Sequence, residues 1–424
     1  MDHLILSKPG KNTNCTIQLT GSKSESNRAL ILNALSGGRV LVKNLSSADD
    51  TVTLAGIVEE VKGESLKVKD AECATIDLPI VNIGPAGTAM RFLTAYFAVT
   101  GTEVILTGTE RMKQRPIGIL VDALRSLGAE IDYVEKDGFP PIQFKSSFKQ
   151  KTDQVTIKGT ISSQFITALL LVAPSLPHGL ELKIEGELTS RPYVEMTLSM
   201  LKDAGIEHVW NDDVIRIAHQ EFKDSEITIE PDWSAASYWY SIAALSDEGS
   251  VILPYLKKNS LQGDSRISSI MENFGISTEF VAEGLKLSKN GNAPTGKFFD
   301  LKDCPDLAQT IIVCSAALGH NATFTGLETL KIKETDRIAA LQNELAKIGV
   351  SLNEDNKNYH LDCSGLNFPA KISIKTYEDH RMAMAFAPLA LKIKELEIEE
   401  PQVVGKSYPK FWEDLKKAGF EIEE

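Results

Sequence analysis

The residues best suited to chemistry in this chain are cations set at the starts of helices. Gly21-Ser22-Lys23-Ser24-Glu25-Ser26-Asn27-Arg28 brings two cations and three serine hydroxyls together in eight residues. It runs into Ala29–Leu35, whose apolar spacing is helical, and stops at Gly37-Gly38. Lys23, the serines and Arg28 therefore fall at or near a first helical turn. There, unpaired N–H groups and the positive end of the helix dipole already favour an anion. Such a stretch can hold a phosphate or a carboxylate. An N-capped surface helix with solvated charges uses the same residues, since Ser and Asn are ordinary capping residues. The G-x-x-x-x-G-K-[ST] spacing of a nucleotide phosphate loop is absent.

Several further segments share this character. Gly84-Pro85-Ala86-Gly87-Thr88-Ala89-Met90-Arg91 opens a helix over Phe92–Phe97, with glycines that let backbone N–H groups approach an anion. Arg111-Met112-Lys113-Gln114-Arg115 precedes a helix started by Pro116. Ser162-Ser163-Gln164 stands before Phe165–Val172, and Ser190-Arg191-Pro192-Tyr193 before a third amphipathic helix. These side chains can read a polyol or a phosphate, or cap their helices. Asp306 precedes the apolar run Leu307–Leu318, where it can be a plain N-cap. Lys331 to Arg337 is the densest charged cluster; Glu334 and Arg337, three apart, fit a helix-surface ion pair. Asp379-His380-Arg381 enters Met382–Leu391, and Lys406 lies before the last helix, where a surface lysine is the simpler expectation. Taken singly, each site has such a plain structural account. Taken together, Lys23, Arg28, Arg91, Arg115, Lys333, Arg337, Arg381 and Lys406 all lie near helix starts in an acidic protein. That sum points to ligands carrying several phosphates and carboxylates, with Asp306 and Glu334 as candidate general acid and base. No metal-ligand cluster is evident in the sequence, so protein cations are expected to neutralise the anions.

The elements that must position these residues repeat. A helix, a glycine and a short alternating strand recur around Gly63, Gly128, Gly205, Gly275, Gly349 and Gly419, which stand 65 to 77 residues apart. Ser65-Leu66-Lys67-Val68 is the strand expected after the first of them. Six copies of one α/β unit pack economically as two similar domains of three. Pro231 interrupts the strand-like Ile227–Asp232, placing one crossing near residue 231 and the other near residue 20. The expected domains are 21–231, and 1–20 with 232–424. Such a pair can bind ligands between its domains and close on them.

Composition narrows the classes. The chain has 424 residues, 42% of them hydrophobic, and a net charge of -13, which is enough for two or three domains and a poor match to nucleic acid or an anionic membrane. Its five cysteines are scattered without a C-x-x-C pair, against a disulfide framework or zinc site and in keeping with a reducing cytosol. The N-terminus lacks a signal-peptide layout and no apolar run is long enough to span a bilayer.

Five motifs then stand in one order: Gly21 to Arg28, Ala86-Gly87-Thr88-Ala89-Met90-Arg91, Arg111 to Pro116, Lys333-Glu334-Thr335-Asp336-Arg337, and Asp379-His380-Arg381-Met382-Ala383-Met384. From about residue 15 to residue 415 the chain closely resembles the 3-phosphoshikimate 1-carboxyvinyltransferase (5-enolpyruvylshikimate-3-phosphate synthase) family of enolpyruvyl transferases. The resemblance implies two domains, each of three βαβαββ units, in an inside-out α/β barrel with the active site in the interdomain cleft. It implies transfer of the enolpyruvyl group of phosphoenolpyruvate to the 5-hydroxyl of shikimate 3-phosphate, with release of phosphate, on the route to chorismate and aromatic amino acids. By the same resemblance, Lys23, Ser24, Arg28, Ser162, Ser163, Gln164, Ser190, Tyr193, Asp306 and Lys333 hold shikimate 3-phosphate. Lys23, Gly87, Arg115, Gln164, Arg337, Arg381 and Lys406 hold phosphoenolpyruvate. Asp306 looks like the base for the 5-hydroxyl, and Glu334 and Lys23 like the groups that move protons at the methylene carbon and bridging oxygen. No cofactor or metal is implied, and a cytoplasmic monomer is expected. Pro85 stands where many members of the family have Asn, Phe92 replaces the usual Pro, and Thr329 occupies a position that is Asn in some members; the first two flank Gly87 and bear on sensitivity to the inhibitor glyphosate. Two alternatives are a UDP-N-acetylglucosamine enolpyruvyl transferase, whose loop corresponding to Thr109–Pro116 typically carries a Cys that is absent here, and a non-catalytic protein that binds phosphorylated metabolites.

Overall fold

The computed structural model describes residues 2–62, 78–160 and 162–424. The sequence expectations at Gly63, at Ser65–Val68 and at Cys73 lie outside the described residues. The chain folds into two compact lobes, one of residues 21–229 and the other of residues 1–20 with 230–424. Each lobe has its own continuous apolar core.

The repeat is plainest between residues 80 and 148. Strand Ile80–Asn82, helix Gly87–Thr100, strand Ile105–Thr107 and helix Gly118–Leu127 are followed by the hairpin strands Ala129–Tyr133 and Ile142–Phe148. The two leading strands pair parallel, the second pairs antiparallel with Ile142–Phe148, and that strand pairs antiparallel with Ala129–Tyr133. The same order recurs in the sheets begun by Gln154–Lys158 and by Phe298–Asp300. Two further sheets are completed from the N-terminus. Thr13–Thr16 pairs parallel with Gly249–Leu253, and His3–Ser7 lies between Glu395–Glu399 and Glu421–Glu423, antiparallel to both. In the other lobe Ser225–Thr228 pairs parallel with Val40–Lys43. Among the described residues there are thus five four-stranded sheets and one of two strands.

The first helix of each repeat is buried almost all round. In Gly87–Thr100 eleven residues are buried, and in Trp233–Leu245 every residue but Ser234 is. The strands alternate buried and exposed positions, as in Gln154–Lys158. Helices therefore occupy the inside of each lobe and sheets face solvent. The first helices pack on one another within a lobe: Lys23–Leu35, Gly87–Thr100 and Ser163–Val172 in one, Trp233–Leu245, Ala308–Ala317 and His380–Phe386 in the other. The second helices, such as Gly118–Leu127 and Arg337–Ala346, are amphipathic and bury one face.

Several boundaries differ from the sequence expectation. The helix expected from Pro116 begins at Gly118, because the Ile117 and Gly118 N–H groups both donate to the Gly138 carbonyl, at 2.9 and 3.1 Å. Arg111 and Lys113 lie in a separate turn, Glu110–Lys113, capped by the Thr109 hydroxyl. The run Met382–Leu391 is a helix over His380–Phe386 and a 3-10 segment over Ala387–Leu391; Pro388 lacks the N–H that would continue the ladder. Helix Trp233–Leu245 carries no amphipathic period and is not expected from the sequence.

Gly128 ends helix Gly118–Leu127 at φ 117°, and a Cβ there would lie 2.0 Å from the Lys149 carbonyl oxygen. Gly37 also has a positive φ, 63°, but nothing lies within 4 Å of its missing Cβ. Gly37→Ala should cost only the left-handed conformation, about 1 kcal/mol. Gly128→Ala should cost about 3 kcal/mol or more, because the backbone at Lys149 must also move. Urea denaturation of the two variants beside the parent checks the difference; equal losses would remove the close approach as the cause.

Candidate active site

In the lobe of residues 21–229, Arg28 is 2% exposed and tied to neutral oxygens. Its Nε donates to Thr197 Oγ1 at 2.9 Å, Nη1 to the Ser24 carbonyl at 2.7 Å, and Nη2 to Thr167 Oγ1 and the Tyr193 carbonyl, each at 3.3 Å. Its guanidinium also sits 5.5 Å from the Phe92 ring centre and 5.9 Å from that of Tyr193. Burial lowers its pKa to about 10, against the raising effect of Tyr193 and Glu25, so it remains a cation at neutral pH. Arg28 thereby brings Ser24 and Tyr193 to one place. Ser162 and Ser190 are the caps of the helices that supply Thr167 and Thr197. Ser162 accepts from the Gln164 N–H at 3.3 Å, and Ser190 holds a left-handed φ of 55°. Ser163 is buried, and Gln164 is half-buried.

Lys23 is the first residue of its helix, and its Nζ pairs with Asp50 Oδ2 at 3.1 Å. Asp50 is 3% exposed, and its place here was not legible in the sequence. The Arg115 guanidinium lies against Gly87, where an added Cβ would meet Nη1 at 2.7 Å. A glycine at 87 is what lets this cation reach the helix start. Arg91 is buried and donates to the Gly87 and Pro116 carbonyls at 3.2 and 3.1 Å, fastening the helix start to the 109–116 loop. Lys113 is a different case, a half-buried cation paired with Glu110 and Glu135.

In the lobe of residues 230–424, Arg337 gathers three carboxylates. Nε donates to Asp379 Oδ2 at 2.6 Å, Nη1 to Asp306 Oδ1 at 3.2 Å and Nη2 to Glu334 Oε2 at 2.9 Å. Arg337 is 1% exposed, so the expected i, i+3 pair with Glu334 exists but is not a surface pair. Burial opposes its charge, while Asp379, Glu334 and Asp306 raise its pKa further than burial lowers it. Arg381 donates to Asp306 Oδ2 at 2.8 Å and to the Asp306 carbonyl at 3.0 Å. Lys333 Nζ stands 3.9 Å from Asp306 Oδ1. Burial pushes the Asp306 pKa up, but Arg381, Lys333 and Arg337 together hold it below the usual carboxylate range. Asp306 is not an N-cap: it sits inside the 3-10 turn Pro305–Leu307, and its side chain serves the arginines. Lys406, expected at the surface, is 7% exposed and pairs with Glu334 Oε1 at 3.1 Å. Asp379 caps helix His380–Phe386 by accepting from the Arg381 N–H at 2.9 Å. The structure thus joins Asp306, Lys333, Glu334, Arg337, Arg381 and Lys406 in one ion network.

Asp264, which sequence reasoning missed, lies beside this network. It is 2% exposed and accepts a short hydrogen bond from Ser234. Helix Trp233–Leu245 packs against both its turn and the Asp306 turn. Burial first, then the charge of Asp306, push its carboxyl up to about 7. Among the described residues no group of three or more His, Cys, Asp or Glu is arranged to hold a metal ion, and no helix is long and apolar enough to cross a membrane.

A family model described as EPSP synthase (3-phosphoshikimate 1-carboxyvinyltransferase) matches residues 7–415. The chain belongs to the EPSP synthase family. A 3-phosphoshikimate 1-carboxyvinyltransferase from Bacteroides fragilis (strain YCH46) is 46% identical over 420 residues, covering 99% of this chain and 98% of the relative. One from Photorhabdus laumondii is 36% identical, covering 98% and 99%. Among solved structures, EPSP synthase from Acinetobacter baumannii aligns with a TM-score of 0.77 at 19% identity, covering 100% of both chains. The enolpyruvyl transferase NikO from Streptomyces tendae aligns at 0.72 and 13% identity, covering 100% of this chain and 98% of its own. The structural likenesses establish the enolpyruvyl-transferase fold of two similar halves. As an EPSP synthase family member the chain is a transferase of the shikimate pathway, moving the enolpyruvyl group of phosphoenolpyruvate to shikimate 3-phosphate.

Asp264 gives the site a pH signature in stability. Its carboxyl is raised from 3.8 to about 7 on folding, so the folded state binds a proton that the unfolded chain releases. The stability linked to that proton is complete below about pH 4 and is lost as pH rises through about 7. Asp264→Asn is neutral in both states. Its unfolding free energy should therefore fall less than the parent's between about pH 5 and about pH 8. Urea denaturation at the two pH values checks this; parallel losses would show that Asp264 does not carry the proton.

Proposed function

We propose that the two residue sets described above divide the substrates as follows. Lys23, Ser24, Arg28, Ser162, Ser163, Gln164, Ser190, Tyr193, Asp306 and Lys333 bind shikimate 3-phosphate. Lys23, Gly87, Arg115, Gln164, Arg337, Arg381 and Lys406 bind phosphoenolpyruvate. The observation that carries the reading is the Arg337 network, in which Asp306 and Glu334 are each held by two or more of the cations proposed for substrate. Arg28 supports the other half: a buried guanidinium held by hydroxyls and carbonyls keeps its charge for a phosphate.

The chemistry follows from the carboxylates. The methylene carbon of the enol phosphate in phosphoenolpyruvate must be protonated before its neighbour becomes electrophilic. Glu334, with Lys23, moves that proton. Asp306 accepts the proton of the 5-hydroxyl as its oxygen bonds to the central carbon, giving a tetrahedral intermediate. Phosphate then leaves as the methyl group returns a proton and the double bond re-forms. Donors fixed around the site stabilise the charge that develops on the phosphate. Substrate itself tunes Asp306. Arg381 and Arg337 help hold its carboxyl below the usual carboxylate range. Once the phosphate and carboxylate of phosphoenolpyruvate share those cations, Asp306 holds a proton more readily and can take the one released by the 5-hydroxyl.

The acidic chain has no basic block for nucleic acid, and we read it as a cytoplasmic monomer acting on small molecules. Three results test the assignment. Purified protein should release phosphate with phosphoenolpyruvate and shikimate 3-phosphate together, and not with either alone or with UDP-N-acetylglucosamine as acceptor. Glu334→Gln should lower that rate by about 100-fold or more with an unchanged circular dichroism spectrum; near-normal release would refute its role. Lys23→Ala should lose both phosphoenolpyruvate affinity by calorimetry and rate, whereas loss of rate alone would confine Lys23 to the proton steps.

A further inference from the structure

Immediately before Asp379 the backbone does something unusual. Tyr377 and Glu378 are consecutive non-glycine residues in the left-handed region, with φ of 55° and 57°. Side chains disfavour that conformation, and such residues persist only where their surroundings over-determine them. The turn they form sets the direction of Asp379 and Arg381, the capping residue and first-turn cation of helix His380–Phe386.

What holds the turn is Glu344. Its side chain is 1% exposed. Oε1 accepts from the Tyr377 hydroxyl at 2.8 Å, and Oε2 accepts from the Lys375 N–H at 3.1 Å and from Lys347 Nζ at 2.6 Å. Glu344 lies seven residues after Arg337 on helix Arg337–Ala346, hence about two turns along the same face. At the start of that face Arg337 grips Asp379 at 2.6 Å. One helix therefore holds the segment 375–379 at two points, and the strained residues lie between them.

We propose that Glu344, through Tyr377, is a positioning residue for Arg381 and Asp379. It keeps the left-handed turn wound so that Arg381 lies against Asp306 and Asp379 lies against Arg337. This rests on the assignment above of Arg337 and Arg381 to phosphoenolpyruvate. Neither Glu344 nor Tyr377 needs to touch substrate. A residue that merely stabilised the fold would lower the melting temperature and spare substrate discrimination, whereas a positioning residue changes the handling of one substrate.

The test uses the whole protein. Tyr377→Phe removes one hydroxyl and keeps the ring. It should raise the KM for phosphoenolpyruvate by about tenfold and leave the KM for shikimate 3-phosphate within about twofold. Adding Glu378→Gly, at an exposed position where glycine adopts the turn without strain, should restore most of the phosphoenolpyruvate KM. Glu378→Gly alone should change little. Equal rises in both KM values, a lower melting temperature with both KM values unchanged, or no rescue by glycine would each overturn the proposal. Arg381→Ala separates the two levels. If it leaves the phosphoenolpyruvate KM unchanged, the substrate assignment fails. If it raises that KM and Tyr377→Phe does not, the assignment stands and the positioning role fails.

Discussion

The lobe of residues 230–424 depends on one buried guanidinium. Arg337 is out of water, and its desolvation is tolerable only because Asp379, Asp306 and Glu334 surround it. Asp306 is in turn held by Arg381 and Lys333, and Glu334 by Lys406. Four cations and three anions make a nearly neutral cluster, so removing one of its carboxylates leaves the buried Arg337 short of a counterweight. The cluster also fixes where four elements can sit. The start of helix Arg337–Ala346, the Asp306 turn, the start of helix His380–Phe386 and the end of the 3-10 segment Pro401–Lys406 all converge on it. Packing brings these elements near; the ion network decides their register.

The lobe of residues 21–229 handles charge differently. The hydrogen bonds of Arg28 go to threonine hydroxyls and carbonyls, and two aromatic rings flank it. Neutral donors and acceptors orient a cation without cancelling it, so its field remains available to an anion. Where Arg337 is hydrogen-bonded to three carboxylates, Arg28 donates to neutral oxygens, and the charge of Glu25 acts on it from outside those hydrogen bonds. The two arrangements suit different tasks. A matched network contains carboxylates whose proton affinity changes when an incoming anion takes a share of the cations. A cation oriented by neutral groups binds an anion and leaves protons where they are. Addition to an enol phosphate, followed by loss of phosphate, calls for both.

Much of this was legible in the sequence, and the reasons are physical. A helix that must turn back into a strand needs a left-handed residue, and Gly128, Gly205, Gly275, Gly349 and Gly419 all have positive φ at such places. Regular spacing of those glycines exposed the repeat. Clusters of cations at helix starts exposed the candidate residues. The partners were not legible, because they are distant along the chain: Arg381 meets Asp306 across 75 residues and Lys23 meets Asp50 across 27. Lys406 reads as an ordinary surface lysine until Glu334 is placed beside it. Helix Trp233–Leu245 escaped because a helix buried on all sides has no polar face to mark its period. Asp264 escaped because nothing in Gln262-Gly263-Asp264 announces that a carboxylate there is out of water.

The placement of cations at helix starts is a consequence of putting the helices inside. A charge cannot sit along the flank of a helix enclosed by apolar neighbours without a partner. In the first helix of each repeat, charge is confined accordingly. Ser163–Val172, Trp233–Leu245 and Ala308–Ala317 carry no charged side chain at all. Lys23–Leu35 has Lys23, Glu25 and Arg28, Gly87–Thr100 has Arg91, and His380–Phe386 has His380 and Arg381, all within the first six residues. The end of such a helix is the one part that reaches polar surroundings, and its N-terminus adds unpaired N–H groups and the positive end of the dipole. Anion recognition at these ends therefore needs little beyond what the fold already imposes. For Lys23, Arg28, Arg91 and Arg381, the pattern of cations gathered at the starts of apolar runs in an acidic chain is the trace of helices turned inward.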